Sequence, residues 1–371
     1  MVPFQYGEVV SGPNFCGRKQ LLAELREMIL SGQRVVLNGE RRVGKTSLIH
    51  EVFRNQKNFR TLFLDLLGIK TQEELYQRAV RSIISLEGED SLTERVTRFA
   101  HLRPQLGADF TGSLTLTFNA REPLSTDPIN EIMDLIEALH KQKPMVVIFD
   151  EFQDILQIKD SKRAIAQLRG RVQYHSDIPY IFVGSIRSKM DEIFMSPDAP
   201  FFKSAIQMTL PPLSFEEFAP FLLKRFESGD RKIQKDDLKK VFKIADNVPG
   251  DIQQFCENLW AVSSPGEAIT TETFHKALRL IFARQKETFN IILSRLTPNQ
   301  AKVLNALALV GGEAPAAAKF VNAAGVKNAS VVKQSLENLA SQKILCNVGK
   351  EWRFFSSFFK AWIQSRYMVD G

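Results

Sequence analysis

Val35-Val36-Leu37-Asn38-Gly39-Glu40-Arg41-Arg42-Val43-Gly44-Lys45-Thr46-Ser47 decides the fold, because it fits the pattern G-x-x-x-x-G-K-[ST] between an apolar run and a helical one. Val35 to Leu37 read as a short buried parallel strand, and Ser47 to Phe53 as an amphipathic helix with Leu48, Ile49 and Val52 available for packing. Gly39 and Gly44 let the backbone turn tightly, so that successive N–H groups from Arg42 and Val43 through Gly44, Lys45, Thr46 and Ser47 point inward near the positive end of that helix. Such a loop is shaped to hold a triphosphate. Lys45 would reach the β- and γ-phosphates, and the Thr46 hydroxyl would ligate Mg²⁺.

Further along, Met145-Val146-Val147-Ile148-Phe149-Asp150-Glu151 reads as a buried strand that delivers two acids at its C-terminal edge, where ligands sit in open α/β sheets. Asp150 suits Mg²⁺ binding, and Glu151 is placed to polarise an attacking water as general base. A third strand, Tyr180 to Gly184, ends at Ser185-Ile186-Arg187-Ser188. In P-loop ATPases of the additional-strand type a residue at this point senses the γ-phosphate, which makes Ser185 and Arg187 candidates. Arg187 is preferred, since a guanidinium can hold developing phosphate charge. Arg163, Arg169 and Arg171, on or after the helix that follows the acidic pair, are each open as an arginine finger supplied by a second copy if the protein oligomerises.

The chain has 371 residues, 44% of them hydrophobic, enough for two or three domains and a large core. No run approaches the roughly 18 apolar residues that a bilayer span needs. The N-terminus shows neither a basic leader nor an apolar core segment, and Cys16, Cys256 and Cys346 are too far apart for a metal or disulfide pattern. Free thiols in a reducing cytoplasm are expected. The net charge of +7 is compatible with nucleic acid and modest for this length.

The expected fold is α/β: a parallel P-loop sheet with helices on both faces (1–211), a helical lid (212–285) and a winged helix (286–371). Thr61 to Leu66 adds a strand after the P-loop helix. Helical patterns cover 72–86 and 92–99, and the alternating threonine-rich stretch 109–118 reads as a small β-hairpin insertion. A short last strand precedes Pro211-Pro212, Ser214 caps the next helix, and Asn247-Val248-Pro249-Gly250-Asp251 interrupts the helical region. Helices are expected at 298–310, 315–324 and 329–342, followed by two strands across 344–354 and a packing segment from Phe354 to Tyr367. The third of these helices exposes Ser330, Lys333, Gln334, Glu337 and Asn338, and the wing offers Lys350 and Arg353. These are the candidate contacts to double-stranded DNA, weakened by Glu337, because a groove-reading helix usually carries more than one cation.

Together these motifs resemble the prokaryotic AAA+/STAND ATPases of the archaeal ATPase type, near the NB-ARC and origin-recognition initiator groups. The resemblance covers nearly the whole length. It rests on Phe15-Cys16-Gly17-Arg18, similar to their FxGR box, on Gly39 to Thr46, on Asp150-Glu151, on Ser185-Ile186-Arg187, and on Asn247-Val248-Pro249, similar to their G-x-P lid motif. Asn247 stands where that motif has glycine, and no arginine follows Pro249. The resemblance implies a slow ATPase using ATP/ADP and Mg²⁺, with the nucleotide between sheet and lid. Pro249 would approach it and Phe15, with Val9 and Val10, would surround adenine. The lid would orient the winged helix by nucleotide state. Two classes of function follow: a switch ATPase whose winged helix contacts DNA, or a nucleotide-gated protein-interaction or signalling scaffold without DNA. A homo-oligomer or a protein partner stays open in both.

Overall fold

The computed structural model describes residues 3–56, 58–86, 104–108, 114–118, 127–348 and 351–368. The chain divides into two compact units, one of Val9–Pro211 and the other of Met1–Glu8 together with Pro212–Gly371. Strands of the first unit are β1 Arg34–Asn38, β2 Arg60–Asp65, β3 Pro104–Ala108, β4 Leu114–Phe118, β5 Met145–Asp150, β6 Tyr180–Gly184 and β7 Ile206–Thr209. Five of them form a parallel sheet in the order β2-β5-β6-β1-β7. The acidic strand β5 is thus not a neighbour of the P-loop strand β1; β6 lies between them, as the additional-strand arrangement requires.

Parallel neighbours need crossovers, and helices supply them on both faces. Alternation along each strand, with its period of two, sorts the side chains. Val35, Leu37, Val146, Ile148, Ile181 and Val183 pack on one face with Leu25 and Ile29 of the helix Lys19–Leu30 and with Leu48, Ile49 and Val52 of Lys45–Phe53. Val36, Leu62, Leu64, Val147, Phe149, Tyr180 and Phe182 pack on the other with the helices Gln72–Leu86, Pro128–Gln142 and Ser161–Tyr174. There the rings of Phe149 and Phe182 lie 5.7 Å apart and 3° from parallel, so the adjacent ends of β5 and β6 are held by a dry aromatic layer.

The expected hairpin at 109–118 takes a different register. Leu114–Phe118 is a strand, and its antiparallel partner is Pro104–Ala108. Residues 109–113 and the helical pattern at 92–99 lie outside the described residues.

In the second unit the helices Phe215–Glu227, Lys235–Ile244, Pro249–Ala261 and Thr271–Ser294 come first, and the last of these continues unbroken through residue 285. The Ser214 hydroxyl accepts the Glu217 N–H, capping the first. Helices Pro298–Val310, Ala318–Ala324 and Ala329–Ser341 then precede an antiparallel pair, β8 Leu345–Val348 and β9 Glu351–Phe354. Three helices and a hairpin form the winged helix. Its second helix starts at Ala318 rather than Pro315, because residues 314–317 close a turn through the Ala317 N–H and the Ala314 carbonyl.

A final helix, Ser357–Met368, buries Phe358, Phe359 and Ile363. It is fastened to the lid helices at two polar points. Ser357 Oγ donates to the buried Asp251 carboxylate at 2.6 Å, and Lys360 Nζ donates to Asp246 at 2.8 Å. Phe289, on the helix Thr271–Ser294, adds ring contacts with Phe359 and Trp362 to this junction. Among the described residues no helix is long and apolar enough to cross a membrane.

Candidate nucleotide-binding and hydrolysis site

Every strand of the parallel sheet points its C-terminal end toward the same edge, and the motif residues collect there. The loop between β1 and the helix Lys45–Phe53 begins with the Gly39 N–H donating to the Gly184 carbonyl at 3.2 Å. A Cβ on Gly39 would stand 3.0 Å from the Leu210 carbonyl oxygen and 3.2 Å from Val43 Cγ2, so the loop's first turn admits only glycine comfortably. Gly44 has φ +93°, a left-handed value that L side chains rarely adopt, and it caps the helix. The helical ladder starts with the Leu48 N–H bonded to the Gly44 carbonyl at 2.9 Å. The N–H groups of Lys45, Thr46 and Ser47 therefore stay outside the ladder, at the positive end of the helix dipole. A row of donors without helical acceptors is what a phosphate group requires.

Lys45 is 6% exposed, and its ammonium donates to the carbonyls of Gly39 and Glu40, both at 2.9 Å. Burial pulls its pKa below the usual lysine value, opposed by the carboxylates of Glu151 and Asp150. A cation placed in this way is strongly attracted to phosphate oxygens. Thr46 Oγ1 lies 3.2 Å from Asp150 Oδ2, across from the loop. Burial raises the Asp150 pKa, and the neighbouring Glu151 raises it further. Hydroxyl and carboxylate oxygens side by side are hard donors of the type Mg²⁺ prefers. The donor set fits that ion.

Glu151 follows at φ +49°, also left-handed. Its carboxylate Oε2 accepts from Ser185 Oγ at 2.5 Å and from Gln153 Nε2. Gln153 in turn accepts the Ser185 N–H at 3.2 Å. Of the two sensor candidates, the structure brings Ser185 to the acidic pair. Arg187, the first residue of the helix Arg187–Phe194, has a side chain 79% exposed and 3.8 Å from Asp191. Of the three finger candidates, Arg171 pairs with Asp134 and Glu137, Arg169 donates to the Pro200 carbonyl at 3.1 Å, and Arg163 is exposed. Gln153 escapes the sequence reading. Its signal is a lone amide between Phe152 and Ile155, just after β5, where burial demands a partner for each end.

On the other side of the loop, the Val10 N–H donates to Ser47 Oγ at 3.1 Å and the Gly12 N–H to Glu51 at 2.6 Å. This binds the N-terminal segment along the P-loop helix, with Phe15 half-buried against the adjoining core. Arg18, 6% exposed, donates to the Pro211 carbonyl. Pro249 belongs to the other unit, as the buried first residue of Pro249–Ala261. Asn247 before it has φ +58°, which explains the departure from glycine, since asparagine tolerates the left-handed region better than other side chains.

In the winged helix, Ser330, Lys333, Gln334, Glu337 and Asn338 are all exposed, while Val332, Leu336 and Leu339 are buried. Lys333 lies 3.9 Å from Glu337, and Arg353 holds Glu351 through Nε at 2.7 Å and Nη2 at 2.6 Å. Lys350 lies outside the described residues. Lys302, Lys319, Lys327 and Lys343 are exposed and make no ion pair among the described residues.

Residues 15–255 match the family model described as an ATPase domain predominantly from Archaea. The chain belongs to this archaeal ATPase family. Residues 287–365 match the model described as "Probable winged helix domain". A search of curated proteins returned no match. Among solved structures the archaeal ATPase chain is similar to the Walker-type ATPase PabY2304 of Pyrococcus abyssi, with a TM-score of 0.62 at 15% identity over 98% of this chain and 100% of that one. The ORC1 protein of Aeropyrum pernix, solved in complex with DNA, gives 0.52 at 11% identity over 97% and 95%. The ORC2 protein of the same organism, solved as ADPNP and ADP complexes, gives 0.52 at 14% over 98% and 97%. At such identities the likeness shows the fold. By family this is an ATPase domain followed by a winged helix.

Proposed function

We propose that the chain is a switch ATPase: it binds ATP with Mg²⁺ in the loop Gly39 to Thr46, hydrolyses it slowly, and passes the nucleotide state through the lid to a winged helix that contacts duplex DNA. The observation that carries the first part is the juxtaposition of Thr46 with Asp150 and of Glu151 with Ser185, beside a buried Lys45. Backbone N–H groups of Arg42 to Ser47 hold the β- and γ-phosphates, and Lys45 neutralises the charge that grows on them. Thr46 and Asp150 would hold Mg²⁺, which would supply further neutralisation of phosphate charge. Glu151 takes a proton from the attacking water through the carboxylate oxygen that the Ser185 contact leaves open. Ser185 is the residue placed to register the γ-phosphate, and Arg187 serves there only after its side chain swings in from solvent. Phe15, half-buried beside the P-loop helix, is assigned to the base, and the nucleotide role of Pro249 rests on the resemblance of Asn247-Val248-Pro249 to the lid motif alone.

For DNA, the exposed lysines without an ion pair among the described residues, Lys302, Lys319 and Lys327, favour a contact on the winged helix, with Lys333, Gln334 and Arg353 in secondary roles. ORC1 bound to DNA is a precedent for this architecture. The pairing of Lys333 with Glu337 and of Arg353 with Glu351 favours the alternative, a nucleotide-gated scaffold that binds protein. Titration of a fluorescent duplex with ADP or a non-hydrolysable ATP analogue, across a salt series, separates the two. Nucleotide-dependent affinity that falls steeply with salt supports the DNA reading, and no binding at low salt leaves the scaffold.

A further inference from the structure

The residue that follows the acidic pair by two positions has a part in hydrolysis. We infer that Gln153 is a positioning residue that clamps the Glu151 carboxylate to the end of β6 and thereby aims its free oxygen at water; this rests on the reading of Glu151 as the general base. Gln153 is 0% exposed, in the short 3₁₀ turn Phe152–Gln157 that follows β5. Both ends of its amide are engaged by the site. Nε2 donates to Glu151 Oε2, and Oε1 accepts the Ser185 N–H at 3.2 Å. The amide therefore spans the gap between two parallel strand ends, one bearing the base and the other the sensor.

Burial of a glutamine with no solvent contact is costly unless both its donor and its acceptor are used. Leucine would fill the same space without that demand, so packing alone does not call for an amide. What the amide adds is a fixed direction. Oε2 of Glu151 receives Gln153 Nε2 and Ser185 Oγ, whereas Oε1 receives no hydrogen bond among the described residues. One oxygen is thus pinned and the other left to accept a proton.

The backbone points the same way. Glu151 is held at φ +49°, a conformation that a non-glycine residue adopts only when its surroundings enforce it. Its N–H bonds its neighbour Asp150 Oδ1 at 2.9 Å, and its carbonyl accepts the Asp154 N–H at 2.9 Å. Phe152, 0% exposed, anchors the turn in the aromatic layer with Phe149 and Phe182. Asp154 accepts the Gly68 N–H at 2.7 Å and ties the turn to the segment after β2. From Asp150 to Asp154, then, each side chain has one assignment, and that of Gln153 faces the base.

The test uses the full chain carrying Gln153→Leu or Gln153→Met, with Glu151→Gln alongside, and measures steady-state ATP hydrolysis, equilibrium binding of a non-hydrolysable ATP analogue with Mg²⁺, and thermal unfolding. Gln153→Leu should lower kcat on the order of tenfold to a hundredfold, as a misaimed group does. Its KM and analogue affinity should stay within about twofold, because nothing that binds the ground state has been removed. Gln153→Met keeps the length of the side chain and cannot donate to Glu151, so it should show the same loss of kcat and carries the test if Gln153→Leu does not fold. Placed in a Glu151→Gln background, either change should cost little more in single-turnover rate, since the group it aims is gone. Unchanged kcat in the Gln153 variants, or loss of kcat together with affinity and melting temperature, overturns the inference. Full hydrolysis by Glu151→Gln instead removes the base assignment. An inactive Glu151→Gln beside fully active Gln153 variants removes only the clamp.

Discussion

The end of the parallel sheet and the exposed row of the helix Ala329–Ser341 both offer polar side chains to a phosphate-bearing ligand, but they do so under different constraints. At the sheet edge, Thr46 meets Asp150, and Glu151 meets Ser185 and Gln153, from three elements far apart in sequence. Each side chain is fixed by another, so its direction is set before a ligand arrives. On the helix, Lys333 finds its nearest acid one turn away, 3.9 Å distant, and both stay more than half exposed. A pair of that type is worth well under about 1 kcal/mol and leaves the direction of the charge free. The first region is organised by long-range contacts and specifies chemistry; the second is organised by helical spacing alone and specifies only that the row faces solvent.

Five substitutions and one pH titration break or sharpen this contrast. The largest effect belongs to Glu151→Gln, which should lower kcat by roughly 10²- to 10⁴-fold while Mg-ATP still binds. Hydrolysis at the unaltered rate in a steady-state assay would take the base out of the organised region. Lys45→Ala comes next, lowering ATP affinity on the order of tenfold to a hundredfold in an equilibrium titration, the worth of a charge-assisted contact. Tight binding in that variant contradicts the phosphate cradle.

Asp251→Ala tests whether the winged helix has an interior as organised as the sheet edge. Loss of the buried acceptor leaves the Ser357 hydroxyl, itself 3% exposed, without its partner. Denaturant unfolding should register about 1–3 kcal/mol. For the exposed row, Lys327→Ala should weaken duplex binding uniformly across sequences and reduce the salt slope by about 1. Lys333→Ala should do less, because Glu337 already offsets that charge. The reverse order would return the recognition role to Lys333.

The smallest effect is one of acid. His175, 4% exposed and 2.6 Å from the Tyr180 hydroxyl, has its pKa depressed by burial, with Glu137, Asp177, Asp134 and Arg171 around it. An imidazole that is harder to protonate when folded contributes stability above its unfolded pKa near 6.5 and loses it as pH falls through that value. Thermal unfolding between pH 7.5 and 5.5 should therefore show a decline in the unit containing the sheet that His175→Phe diminishes. An identical pH dependence in the variant excludes His175 as the source.

Much of the sheet end was legible in the sequence because its chemistry needs particular atoms at particular spacings. The glycines of the loop, Lys45, Thr46 and the acidic pair are tied to short patterns, and the strands that deliver them carry uninterrupted apolar runs. Ser185 and Arg187 illustrate the limit. Both stand at the end of β6, and only the direction of the turn after Gly184 decides that the hydroxyl faces Glu151 while the guanidinium starts a solvent-exposed helix. Gln153 was invisible for a related reason: glutamine is ordinarily exposed, and its burial depends on how sharply the chain turns at Glu151. The hairpin register failed because the alternation marked Leu114–Phe118 as a strand but says nothing about its partner, which came from the preceding segment. In the winged helix the buried stripe was readable from period alone, whereas the pairing of Arg353 with Glu351 depends on a two-residue same-face spacing along β9.

The two polar fastenings of the last helix, Ser357 to Asp251 and Lys360 to Asp246, flank Asn247-Val248-Pro249 on both sides. A turn bracketed in this way cannot rotate by itself. Under the proposed switch, a rotation at Pro249 would carry Ser357–Met368 with it as the short arm of a crank, and the displacement of the winged helix would grow with distance from the pivot. The leverage resides in the fastening rather than in the flexibility of any segment.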